Sequence, residues 1–307
     1  MKGNRQTSSI RKMLFLANIF GLIIGIIGFV AFIYSMIKIG LMDPNATGDM
    51  KSITPYVTLI FSISTFFFIT NTFFCCYIIN FLRKADDITL LNNRYIIALF
   101  SISVGGLFTP FVLAQMQNIP VESTISPKFT ISKGYGGNSL VSGFSALVVY
   151  FGFSLLWYKG QSIFASGLVD IILVAVLGVI LFWGVLNCLI FATPGALGTW
   201  NKKESAYKFM NFIAVINLII ATITLILQLI QSIISIISIF ADMFDRKRGF
   251  LGTIFNSIYA AYRISVQLFI IYTINKIIKG IWSKGDEIHY NDYSKLAEKQ
   301  KEYDMAT

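Results

Sequence analysis

Residues 217–242 read Asn-Leu-Ile-Ile-Ala-Thr-Ile-Thr-Leu-Ile-Leu-Gln-Leu-Ile-Gln-Ser-Ile-Ile-Ser-Ile-Ile-Ser-Ile-Phe-Ala-Asp. An apolar stretch of this length matches a hydrocarbon core of about 30 Å, which takes ~20 helical residues to cross. It carries one polar stripe: Asn217, Ala221, Thr224, Gln228, Gln231, Ser235, Ser238 and Asp242 alternate steps of four and three residues. Lipid satisfies neither amides nor hydroxyls, so such a face is expected to turn toward protein or water.

Working outward, apolar runs recur along the chain at approximately 13–39, 54–82, 96–116, 140–158, 163–192, 212–243 and 250–281. The 307 residues are 55% hydrophobic and 13% charged, with mean hydropathy +0.70. Soluble domains carry about 25% charged residues. The expected fold class is all-α: a polytopic membrane helix bundle of six to seven transmembrane segments, the last two forming a long antiparallel hairpin. Short alternating strands of a membrane barrel are absent from the pattern. The expected organisation is a transmembrane domain over 1–282 and a polar cytoplasmic tail over 283–307.

The net charge of +10 is carried mostly by Lys and Arg in loops and tails beside apolar runs. There they read as orientation signals and headgroup contacts, so the expected partner is the lipid bilayer and not nucleic acid. The run after Lys2, Arg5, Arg11 and Lys12 is too long for a signal-peptide core, so it reads as a retained first helix. With seven spans, Lys and Arg divide evenly between the two sides. If segment 96–116 does not cross, roughly three-quarters of them gather on one side with both termini, the cytoplasmic arrangement. Gly105, Gly106 and Pro110 give that segment a motive to be re-entrant; a kinked spanning helix is the alternative. The Pro- and Gly-rich stretch 117–139 reads as a turn-containing connection.

The last two segments flank Asp245-Arg246-Lys247-Arg248-Gly249, short enough for a hairpin. In that hairpin Gln228 and Gln231 fall at the depth of Arg263 and Gln267, and Ser238 at the depth of Asn256. A guanidinium within the membrane needs acceptors. The amides of Gln228, Gln231 and Gln267 could supply them, and Asp170 is the better partner if segment 163–192 packs beside the hairpin. Arg263, Gln228, Gln231, Gln267, Asn256 and Asp170 are therefore the binding or path-lining candidates. The same stripe equally suits interhelical glue. Segments six and seven exceed the membrane thickness, so they tilt, break or project beyond it.

Cys75, Cys76 and Cys188 lie in apolar runs and His289 is the lone histidine, so neither disulfide nor zinc chemistry is indicated. No nucleotide-binding loop, hydrolase elbow or intramembrane carboxylate pair occurs. The sequence thus points away from an enzyme and from any cofactor. The leading expectation is a cell-membrane protein of transport type, a permease or channel-like protein or the membrane subunit of a larger assembly. The alternative is a non-transporting scaffold whose seam is packing glue and whose tail binds a cytoplasmic partner.

Overall fold

The structure is a computed structural model that describes residues 3–38, 49–101, 127–156, 163–193, 195–196, 198–199, 203–244 and 250–282. Among the described residues every regular element is helical. The long helices are α1 (Gly3–Lys38), α2 (Asp49–Lys84), α5 (Pro127–Leu156), α6 (Leu168–Asn187), α7 (Glu204–Phe244) and α8 (Phe250–Ile281). Two short ones, α3 (Asp87–Asn92) and α4 (Arg94–Ser101), lie between α2 and α5 in the chain. Six helices are long and apolar enough to cross a membrane, at Ser8–Lys38, Tyr56–Lys84, Pro127–Leu156, Leu168–Ala192, Glu204–Asp242 and Ile254–Ile281.

Of segment 96–116 only residues 96–101 are described. Its first part is the end of α4, where Ile96, Ile97, Ala98, Leu99, Phe100 and Ser101 are all buried. Protein, not lipid, surrounds α4: it packs on α2 and α8. Gly105, Gly106 and Pro110 lie outside the described residues.

The largest departure from expectation is 127–139. This stretch is helical and forms the first 13 of the 30 residues of α5. Pro127 is tolerated because the first helical residue has no intrahelical use for an N–H. The glycines serve close approach and not turns. A Cβ at Gly136 would stand 2.6 Å from Asn187 Cβ, and one at Gly137 would stand 2.6 Å from the Phe73 ring. Small residues let membrane helices approach this closely, where dispersion and polar contacts drive association. α5 is accordingly the hub: it packs on α2, α6 and α7, while α1 packs on α2 and α8 on α7.

Local signals set the ends. Asp86 caps α3 by accepting from Thr89 N at 3.2 Å, and Arg83 and Lys84 complement the C-terminal dipole of α2. Arg11 of α1 binds the same end of α2. It donates to Leu82 O and Ala85 O and pairs with Asp87 at 2.7 Å. Gly167, at φ 64°, turns the chain into α6. A π-helical turn, Cys188–Ala192, follows α6, and the chain leaves it extended at Thr193.

The interior is more polar than the outer face. Asn18, Ser62, Asn71, Asn187 and Asn217 are buried, whereas Phe20, Ile27, Val179 and Leu189 are more than half exposed. A soluble monomer avoids apolar surface on this scale; a bundle whose solvent is hydrocarbon does not. The apolar core centres on α4, enclosed by Ile10 and Leu14 of α1, Phe74 and Ile78 of α2, Leu218, Ala221 and Leu225 of α7, and Ile274 and Ile277 of α8.

Candidate functional site

The polar stripe of α7 does not stay on one face of the bundle. Asn217 and Ala221 are buried, Gln228 and Ser235 half-buried, and Thr224, Gln231, Ser238 and Asp242 exposed. Positions 224, 231 and 238 each stand one residue, about 100°, before the buried line of the helix, and so face outward. The contacts of the helix instead run through Leu218, Ala221, Leu225, Ser232 and Ile239. The exposed hydroxyl of Thr224 is satisfied within the helix, donating to Ile220 O at 3.0 Å.

Asn217, the buried end of the stripe, joins three elements. Its Nδ2 donates to Asn187 Oδ1 at 2.7 Å and to Ser132 Oγ at 3.1 Å. Its Oδ1 accepts from Trp183 Nε1 at 2.9 Å, and Asn187 Nδ2 donates to Trp183 O at 2.9 Å. Ser132, Asn187 and Asn217 are all fully buried. The network sits where α5, α6 and α7 meet, one residue before the π-helical turn. Both Asn217 side-chain atoms are used, so the cluster is closed on itself. Sequence reasoning missed Asn187, Ser132 and Trp183. Asn187 was visible as an amide inside an apolar run. Ser132 was hidden by reading 117–139 as a loop.

Arg263 is exposed, and its guanidinium lies over the Tyr259 ring, 5.7 Å from the centroid. Among the described residues no hydrogen bond joins it to Gln228, Gln231, Gln267 or Asn256. Gln267, Asn256 and Gln228 are half-buried and Gln231 is exposed. Gln228 Oε1 is itself sealed from solvent and has no partner. α7 and α8 do pack together, with Trp282 Nε1 donating to Thr222 Oγ1 at 2.9 Å, but the polar atoms named above are not brought into one cluster.

Asp170 does not meet Arg263. It is fully buried in the first turn of α6. Its Oδ2 accepts from Ser166 N at 2.7 Å, which closes the turn leading into the helix. Tyr150 of α5 stands beside the carboxylate, and the Tyr150 hydroxyl accepts from Phe164 N at 3.1 Å. Phe164 holds a left-handed φ of 53° to make this turn. Asp170 Oδ1 and Ser166 Oγ, both buried, have no hydrogen-bond partner. A buried carboxylate oxygen without a donor is an acceptor open to a cationic or hydrogen-bonding partner. Among the described residues no group of three or more His, Cys, Asp or Glu side chains forms a metal site.

No family model, no curated protein and no solved structure matches the chain.

Proposed function

We propose that the chain is a transport-type protein of the cell membrane, a permease or channel-like protein or the membrane subunit of a larger assembly, with both termini cytoplasmic. Asp170 carries this reading. A fully buried carboxylate, one oxygen of which has no hydrogen-bond partner, lies in the first turn of α6 beside α5, at the edge of two candidate spans, and ionisable groups buried between membrane helices mark ion and proton pathways. The class of solute this chemistry suits is a small cation. Gln228 Oε1, the unpartnered acceptor on α7, is a second point of weak binding for it. In this reading α7 and α8 form the antiparallel hairpin, and Gln231, Gln267, Asn256 and Arg263 belong to its outer part.

The test is cation flux into proteoliposomes holding the purified full chain, with H⁺, Na⁺ and K⁺ gradients imposed in turn. Wild type is expected to conduct one of them above protein-free vesicles, and Asp170→Asn to reduce that flux by about tenfold or more. Equal flux from wild type and Asp170→Asn sinks the proposal, as does no flux for any of the three.

A second reading, a non-transporting scaffold, is favoured by a different observation: the Asn217 network is closed and leaves no free donor or acceptor on Asn217. Polar contacts of that kind hold bundles together. The tail 283–307 would then recruit a cytoplasmic partner. Deleting 283–307 should abolish co-purification of that partner while leaving the bundle folded. An unchanged set of co-purifying proteins after the deletion argues against this reading.

A further inference from the structure

We infer that Asp170 Oδ1, Ser166 Oγ and the Tyr150 hydroxyl form a binding site for a monovalent alkali cation, sodium or potassium, in the turn that opens α6. The inference rests on the transport reading for its solute and deepens it, because it fixes the ligands and the charge of the ion.

The turn 163–167 brings the three oxygens together. Ser166 N donates to Asp170 Oδ2 at 2.7 Å, so the Ser166 side chain and the second carboxylate oxygen belong to one turn. Phe164 N donates to the Tyr150 hydroxyl at 3.1 Å, which fixes that hydroxyl beside the carboxylate. Phe164 takes a left-handed φ of 53° and Gly167 one of 64°. A bulky residue resists the first of these, and the bond to Tyr150 holds it there. A carboxylate that accepts from a backbone N–H at the start of a helix is ordinary capping. Capping here uses Oδ2 alone.

The atoms that capping leaves over point to a ligand. Asp170 and Tyr150 are both fully buried. Asp170 Oδ1 and Ser166 Oγ are sealed from solvent, and neither has a hydrogen-bond partner. Buried polar atoms are nearly always satisfied, by protein or by something bound. Among the described residues no Lys or Arg pairs with Asp170.

Oxygen donors select hard cations over soft ones. One carboxylate supplies one negative charge, which a monovalent ion balances. A divalent ion would keep a net positive charge in a buried place, where uncompensated charge is strongly disfavoured. Calcium also takes about six to eight oxygens, and among the described residues no group of three or more His, Cys, Asp or Glu gathers here. The positive end of the α6 dipole opposes any cation at this place. The site is therefore weak and exchanging, as a transported ion requires. Phe164, Ala165 and Gly167 are exposed, so the turn admits the ion together with the water that completes its shell.

The experiment follows thermal unfolding of the purified full chain in detergent by tryptophan fluorescence. The salts are sodium, potassium, calcium and choline chloride at matched ionic strength. Wild type is expected to melt about 3 °C higher in sodium or potassium than in choline, the shift for an ion held at roughly ten times its dissociation constant. Asp170→Asn should melt at one temperature in sodium, potassium and choline. Ser166→Ala keeps the backbone bond to Oδ2 and should need more of the same salt for the same rise. Equal wild-type midpoints in sodium, potassium and choline overturn the site, as does an undiminished sodium or potassium effect in Asp170→Asn. If Asp170→Asn does not fold, Ser166→Ala decides, and an unchanged salt requirement overturns the site. A larger rise in calcium than in sodium or potassium overturns the monovalent assignment. The flux measurement stays separate. A salt-dependent midpoint without flux keeps the site and removes the transport reading, whereas flux with a salt-independent midpoint removes the site and keeps that reading.

Discussion

Asn217 shows how much one amide holds. Replacing it by Ala would strand Trp183 Nε1 and Asn187 Oδ1, both now bonded to it. Leaving buried groups unmet costs about 1–3 kcal/mol, although single interhelical bonds in membranes average nearer ~0.6 kcal/mol. Asn217→Ala should thus lower the thermal unfolding midpoint of the detergent-solubilised protein; an unchanged midpoint would show that Trp183 and Asn187 find other partners. Asp170 offers a contrast. Asp170→Asn keeps the acceptor for Ser166 N and removes a buried charge, so stability should hold or rise while any cation flux falls. A large loss of folded protein would show that the charge itself is structural. At this scale the sequence was legible in part. The apolar surroundings of Asn217 and Asp170 marked both as polar groups in need of partners. The partners were not legible, because Ser132, Asn187 and Tyr150 lie far from them in sequence.

Among elements, α5 decides the packing. Its glycines looked like turn formers, and only the approach of Asn187, Phe73 and Phe100 to Gly136, Gly137 and Gly134 explains them. On the facing helix, Gly184 takes the same role, since a Cβ there would collide with the backbone of Leu140. Backbone cannot swing aside as a side-chain tip can. Gly184→Val should therefore separate α5 from α6 and destabilise by about 1–3 kcal/mol or more, as overpacking does. Far-UV circular dichroism on heating in detergent would register this, and a wild-type melting curve would refute the close approach. The π-helical turn Cys188–Ala192 adds one residue to the α-helical count. Deleting Leu189 would restore α-helical hydrogen bonding but rotate everything after it by about 100°. The deletion is expected to reduce the yield of folded, monodisperse protein, and a fully stable deletion would show the turn is dispensable.

For the whole molecule, six candidate spans and a bond from Tyr77 to Thr130 O set the end of α2 and the start of α5 on one side. The far end of α5 and the turn at 163–167 then face the other side. Cysteines placed at Lys84 and Ala165 should react with impermeant reagent from opposite faces of the membrane. Labelling from one face would mean that α5 does not cross.

The sequence by itself determined the helical class, the membrane setting and the approximate places of the long apolar helices, while it offered a seventh segment at 96–116 and read 127–139 as a connection. Lipid offers no hydrogen bonds, so an apolar run of sufficient length has one way to satisfy its backbone. Tertiary structure decided the rest. Which polar groups meet depends on rotational phase and on the register between helices. On α7 the buried line is Leu218, Leu225, Ser232 and Ile239, so Thr224, Gln231 and Ser238, one residue before it, turn outward, while Asn217 is held inside by its bonds to Trp183, Ser132 and Asn187.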